Sequence, residues 1–229
     1  MLKEVLKVAK VIALVSGKGG VGKTVITANI GRELAKLGKK VLLIDMDTGL
    51  RNLDIILGVE DRIVYDITDV LNGAAELSAV LVKCPKFSGV MFLPASQTKT
   101  HEDISAELLQ GLVERLRSEY DYILLDSPSG VGQGFRNSTL ASDLAVVVAT
   151  PDKCSIRDAD KVLLELEQIA ATGAEVPKSA LLINRDGAKF LKAGKIDKKK
   201  IASRLAMEVL GIISEGNLIK DIRKIANRI

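Results

Sequence analysis

Short, continuous apolar runs recur along the chain at residues 11–16 (VIALVS), 41–45 (VLLID), 90–93 (VMFL), 122–126 (YILLD), 144–150 (LAVVVAT), 180–184 (ALLIN) and 209–214 (VLGIIS). They are unbroken rather than alternating, so each reads as a strand buried on both faces. Between them lie amphipathic stretches at 24–37, 104–116 and 159–170, whose apolar residues repeat at helical spacing. In the last, Val162, Leu163, Leu166, Ile169 and Ala170 form one stripe, with Glu165 and Glu167 off it. Strand and helix in alternation predict an α/β fold, a doubly wound, mostly parallel sheet with helices on both faces. Such a sheet binds its ligand at the carboxyl ends of its strands, which directs attention to residues 17–24, 45–54, 94–97, 126–130 and 184–186.

Composition narrows this picture. The 229 residues are 47% hydrophobic and 27% charged, with five scattered prolines and no Gly/Ser tract, so residues 1–229 are expected to form one domain. A net charge of +4 is far from the dense basic stripe of a dedicated nucleic-acid binder. The single histidine, His101, leaves no pair for a zinc site and disfavours a Ser-His-Asp or Cys-His mechanism. Cys84 and Cys154 make no CxxC motif; with no signal-peptide pattern they point to a reducing cytoplasm and to two small core hydrophobes. Aromatic residues are 3% of the chain and Trp is absent, which disfavours base-stacking platforms. No apolar run approaches the roughly 18 residues that cross a bilayer, so membrane contact is expected to be peripheral at most.

After the first run comes Ser16-Gly17-Lys18-Gly19-Gly20-Val21-Gly22-Lys23-Thr24, which satisfies G-x-x-x-x-G-K-[ST] from Gly17 to Thr24. Glycines let successive backbone N–H groups turn inward, and a helix starting near Gly22 adds its positive dipole end to the same anion. The pattern assigns Lys23 to the β- and γ-phosphates and the Thr24 hydroxyl to Mg²⁺. Asp45 and Asp47, two apart at a strand end, project to the same side and suit water and metal near a γ-phosphate. Taken alone, they suit turn and cap positions as well.

The segment K-G-G-x-G-K-T from Lys18 is the deviant Walker A signature, and the chain resembles the ParA/MinD superfamily of ATPases. That resemblance implies that Lys18 contacts the nucleotide of the other subunit in an ATP-sandwich homodimer, as an arginine finger does in trans. The D-x-D-x-G-L-R-N-L-D string at 45–54 looks like the MinD branch, whereas ParA partition proteins usually continue from the second aspartate's neighbourhood into a Pro-Gln pair. Further matches fall at 64–66 (VYD), 93–98 (LPASQT), 126–130 (DSPSG) and 155–160 (SIRDAD), and the likeness spans about residues 11–215. It implies that Asp47 positions the attacking water in a first switch, that Asp45 supports Lys23 and the metal shell, and that Asn52 belongs to the same switch. Asp126 is implied as the Walker B carboxylate holding Mg²⁺ through water, with Ser127, Pro128 and Gly130 as the second switch. Asn184 and Arg185 fall where the family reads adenine, for which an Asn amide has both acceptor and donors; a plain strand cap is the alternative. Cys84 and Cys154 do not match the cluster ligands of the related nitrogenase iron proteins. Val25 stands where the family commonly carries a second hydroxyl, so weaker nucleotide affinity is expected.

The resemblance implies an ATPase with ATP and Mg²⁺ as cofactors, whose ATP-dependent homodimer binds a MinC-like inhibitor, a MinE-like activator and, weakly, an anionic membrane surface. Its place would be the cytoplasm and the inner face of the membrane, where it would help to position the division septum. Two other readings stay open: a DNA-binding partition ATPase, disfavoured by the 45–54 string, and a polar-organisation or flagellar-number regulator. The family usually ends in a membrane-targeting helix, whereas this sequence stops at Ile229, so a shortened C-terminus is expected. Leu218, Ile222, Ile225, Ala226 and Ile229 nevertheless recur at helical spacing, with Lys220, Arg223, Lys224 and Arg228 on other faces, as an anionic bilayer would attract. Ala226-Asn227 matches family residues upstream of that tail and favours a docked segment instead. Leu2, Val5, Leu6 and Ala9 with Lys3, Lys7 and Lys10 form a rival amphipathic end, and the lysines of 189–200 read as a solvated loop.

Overall fold

A computed structural model describes residues 8–48, 51–187 and 198–229. The elements that position the site are strands β1 (Lys10–Ser16), β2 (Val41–Asp45), β3 (Val82–Lys83), β4 (Val90–Leu93), β5 (Tyr122–Ser129), β6 (Leu144–Ala149), β7 (Lys178–Asp186) and β8 (Glu208–Ser214). Interspersed are helices α1 (Lys23–Lys36), α2 (Leu53–Leu57), α3 (Ile67–Leu71), α4 (Leu77–Val80), α5 (Ala106–Leu116), α6 (Gln133–Leu140), α7 (Lys153–Ala171), α8 (Lys198–Leu205) and α9 (Leu218–Ala226). All strands join one sheet in the order β3-β4-β2-β5-β1-β6-β7-β8. Every pairing is parallel except the two-residue edge pairing of β3 with β4. The expected fold class is therefore the observed one.

The unbroken apolar runs are explained by burial on both faces. Along β1, Val11, Ala13 and Val15 enter the core beneath α5, α6 and α7, while Ile12 and Leu14 enter the core beneath α1 and α9. Strand side chains alternate between faces, so a strand sandwiched between two helical layers needs apolar residues at every position.

Four differences from the sequence pattern appear. Strand β5 continues past Asp126 to Ser129, which pairs with Ser16 beyond an irregularity in β1, so the polar DSPS segment is held as strand by backbone pairing rather than by burial pattern. Helix α7 starts at Lys153, six residues before the expected amphipathic stretch, because Asp152 caps it: its Oδ1 accepts the Ser155 N–H at 3.0 Å. On that helix Glu165 is buried beside Arg136 and Ala170 faces outward, reversing their expected sides. Cys84 is buried, and burial pushes its thiol up to about 12, whereas Cys154 is exposed in the first turn of α7 rather than in the core.

The basic C-terminal stretch is a docked helix. Ile222, Ile225 and Ala226 of α9 are buried against α1 and β8. A Cβ on Gly211 would lie 2.4 Å from Ile225 Cγ1, so glycine is what allows this approach. Arg223 Nε donates to Glu33 Oε2 of α1 at 3.0 Å, and Lys10 Nζ donates to the Ile229 carbonyl at 3.0 Å. Residues 1–7 and 188–197, which carry most of the amphipathic N-terminal pattern and half of the lysines of the run, lie outside the described residues; Lys198–Lys200 open α8 rather than a loop, because Ile201 and Leu205 of that helix are buried, and at the N-terminus Ala9 is buried and Lys10 already belongs to β1. Replacing Ile225 by Ala is expected to lower stability by about 2–4 kcal/mol in urea unfolding, the range for a large core residue; a change below about 0.5 kcal/mol would mean that α9 is a loosely attached surface helix.

Candidate active site

Strand β1 ends at Ser16, whose Oγ donates to the Lys18 carbonyl at 2.9 Å and so turns the chain into the phosphate loop. Gly20 and Gly22 adopt φ of 75° and 96°, the left-handed region open to glycine without strain. Gly22 caps α1 without any side-chain bond, which leaves the first-turn N–H groups directed at the loop's interior. Two distant elements hold the loop in place. A Cβ on Gly17 would fall 2.0 Å from the Asp158 carbonyl oxygen, so the loop rests directly on the α7 backbone. From β7, Asn184 Nδ2 donates to the Val21 carbonyl at 2.7 Å. At the inner end Lys23 is buried and Thr24 half-buried, whereas Lys18 and Val25 are exposed.

Beneath the loop, Asp45 and Asp126 are register partners on β2 and β5, and both are buried. Asp45 Oδ1 accepts the Asp47 N–H at 2.9 Å, while its Oδ2 is buried without a hydrogen-bond partner, as is Ser127 Oγ. Thr27, one turn along α1 from Lys23, places its hydroxyl 3.2 Å from Asp126 Oδ1 and 3.0 Å from the Lys23 carbonyl. Burial pushes Asp126 up to about 6, against the opposing pull of Lys23 and of the Thr24 and Thr27 hydroxyls. Burial, and then the neighbouring Asp126, hold Asp45 well above the usual carboxylate range. Asp47 is raised too, by burial, with Lys23 and His101 pulling the other way. Thr24, Asp126 and the buried unpartnered oxygens are hard oxygen donors, so the cluster fits Mg²⁺, with Thr24 and Asp126 as the residues that would hold it.

The segments read as switches lie on either side of this cluster. Asn52 is exposed at the start of α2 and makes no side-chain cap, and next to it Arg51 Nε pairs with Asp54 Oδ2 at 2.7 Å. Gly49 and Leu50 of the first switch lie outside the described residues. In the second, Pro128 lies within β5, and the Gly130 N–H donates to the Ser16 carbonyl at 2.9 Å, which joins the segment to the entrance of the phosphate loop. A Cβ on Gly19 would lie 3.6 Å from Ser129 Oγ, so the loop and the second switch are in contact range. Asn184 Oδ1 accepts the Arg185 N–H at 2.9 Å, and Arg185 takes a φ of 56°. Asn184 thus clamps the phosphate loop, with its amide engaged by Val21 and Arg185. Residues 94–97 form a supporting loop, with the Pro94 carbonyl accepting the Ile67 N–H at 2.9 Å. Sequence reasoning missed Thr27, although its place one turn after the loop lysine, on the inner face of α1, is a usable signal; His101 bears no such mark.

A family model described as an AAA domain matches residues 9–177. The septum site-determining protein MinD of Bacillus subtilis (strain 168) is 41% identical over 206 residues, 89% of this chain and 75% of that protein. The chain belongs to the MinD family. Among solved structures, the MinC:MinD cell division protein complex of Aquifex aeolicus aligns at a TM-score of 0.83 with 38% identity, covering 96% of this chain and 95% of that one. The septum site-determining MinD of Pyrococcus horikoshii OT3, complexed with Mg-ADP, aligns at 0.80 with 26% identity over 95% and 94%. As a MinD-like septum-site ATPase, this protein works with ATP and Mg²⁺.

The raised carboxyls have a consequence for stability. Asp126 binds a proton more tightly folded than unfolded, so between its ordinary value of 3.8 and about 6 the folded state holds more protons and stability falls as pH rises. In protein free of nucleotide and magnesium, Asp126→Asn is expected to raise stability at pH 7.5 by on the order of 2–3 kcal/mol, the gain vanishing towards pH 4. Urea titrations at both pH values check this; an equal effect at both would mean that the Asp126 charge is already compensated.

Proposed function

We propose that Mg-ATP closes two copies of this chain into a homodimer that recruits a partner, and that hydrolysis releases it. Residues 1–229 would act as one P-loop ATPase domain. The observation that carries this reading is one complete phosphate loop facing Asp47, a half-buried carboxylate raised by burial and opposed by Lys23. In this reading Gly17, Gly19, Gly20, Val21 and Gly22 present backbone N–H groups to the phosphates, Lys23 neutralises them, and Thr24 with Asp126 holds the metal. Asp47 orients and polarises the attacking water, while Asp45 keeps Lys23 and the metal shell in register. Asn184 and Arg185 supply the adenine contacts.

Lys18 is assigned to the partner's nucleotide. Its exposure at the loop entrance supports this. The MinC named in the solved MinC:MinD complex supports a MinC-like partner for this chain, read here as an inhibitor, and a MinE-like activator follows from the same reading. Because the apolar face of α9 is packed in the core, contact with an anionic bilayer on the inner face of the membrane would use other surfaces. No described helix is long and apolar enough to cross a membrane. DNA is not assigned as a partner.

Two variants separate binding from turnover. Lys23→Ala is expected to abolish ATP binding, and Asp47→Ala to retain binding while losing at least about 100-fold in kcat, measured by phosphate release and by fluorescent-nucleotide titration. Undiminished turnover in the Asp47 variant would remove the role assigned to it. Lys18→Ala is expected to bind ATP as a monomer and to fail both to dimerise and to hydrolyse. Light scattering with a non-hydrolysable analogue decides the point, since a dimer of normal affinity would make Lys18 dispensable.

A further inference from the structure

The chain's single histidine lies where the two switches meet, on a turn at 101–103 between β4 and α5 that belongs to neither switch. The ring's Nδ1 is 2.7 Å from Thr48 Oγ1, a hydrogen bond whichever tautomer is present. Thr48 directly follows Asp47, so this bond fixes the backbone that carries the carboxylate. The same edge of the ring lies against the start of α6, just after the second switch. A Cβ on Gly134 would come 2.9 Å from His101 Nδ1 and 2.5 Å from Pro128 Cγ, so a bare glycine leaves room for both the ring and the proline.

The turn itself is held at both ends. The Thr100 N–H donates to Asp103 Oδ2 at 2.7 Å, and Asn137 Nδ2 of α6 donates to the Ile104 carbonyl at 2.7 Å. The half-buried ring is therefore a tether between a fixed turn, the first switch and the helix that follows the second.

We propose that His101 is a positioning residue for hydrolysis: by holding Thr48 it sets the place of Asp47 relative to the second switch. This inference rests on the ATPase reading of the site. Attack by water demands a near-linear approach, and misplacement of a polarising group by about 1 Å costs on the order of 100-fold in rate. The tether acts on geometry during turnover and leaves the phosphate loop untouched.

The test compares wild type with His101→Ala, His101→Asn, Thr48→Val and the double variant His101→Ala/Thr48→Val, each by steady-state hydrolysis and by fluorescent-ATP titration. Expected are a fall of at least about 10-fold in kcat for His101→Ala and Thr48→Val, with nucleotide Kd within about twofold of wild type. The double variant should lose no more than either single one, because both remove the same bond. His101→Asn keeps a polar atom near the place of Nδ1 and should recover most of the rate. Wild-type kcat in His101→Ala, multiplicative losses in the double variant, no recovery in His101→Asn, or parallel losses of affinity and rate would each overturn the positioning role while leaving the ATPase reading intact. Absence of hydrolysis in the wild type would overturn both.

Discussion

Two carboxylates buried side by side at the ends of adjacent parallel strands are the constraint on which the site depends. The β2–β5 register places Asp45 opposite Asp126, and burial together with like charge raises both. Isolated, such a pair would be intolerable at neutral pH. The groups that compensate Asp126 come from the start of α1, the Lys23 ammonium and the hydroxyls of Thr24 and Thr27, while Asp45 is offset by the backbone N–H groups of Asp47 and Leu53. The phosphate loop therefore does more than bind anions, because it carries the cation that permits the carboxylates beneath it. A divalent cation bound there relieves the same repulsion, so metal occupancy and the position of this layer are energetically linked.

The loop is also the meeting point of contacts distant in sequence. Gly17 rests on the α7 backbone near Asp158, Asn184 of β7 holds the Val21 carbonyl, and Ser16 receives the N–H of Gly130 from the second switch. These contacts draw in α7, β7 and the residues after β5. They account for the presence of the SIRDAD segment among the family matches: its backbone is the floor of the loop. A tight glycine contact of this kind leaves no tolerance for a side chain, so the loop's shape is set by its neighbours as much as by its own glycines.

The C-terminal helix shows how the same residues can suit either of two environments. A basic amphipathic helix fits an anionic bilayer or a protein groove equally well by pattern. Here Gly211 opens the groove that receives Ile225, and Arg223 meets Glu33. Although burial opposes it, Lys36 and Arg223 hold the Glu33 carboxyl below its usual range, which matches the polar face of α9 to α1 as the apolar face is matched to the core.

Periodicity and spacing alone determined the seven parallel strands, their alternation with α1, α5 and α7, and the G-x-x-x-x-G-K-[ST] pattern from Gly17 to Thr24. They determined the paired aspartates too, since each of these is a local property of a few consecutive residues. The resemblance added the roles of Lys18, Asp126 and the switches. What lay outside the reach of pattern is everything that depends on a partner far along the chain. Backbone pairing with Ser16 extends β5 through Ser129 against its polar composition. Asn184 acts as a clamp because Val21 lies across two strands, Thr27 matters because Asp126 lies beneath it, and His101 reaches Thr48 across 53 positions. Spacing reports which face of an element a residue occupies; only the packing of the elements against one another decides which side chain it meets there.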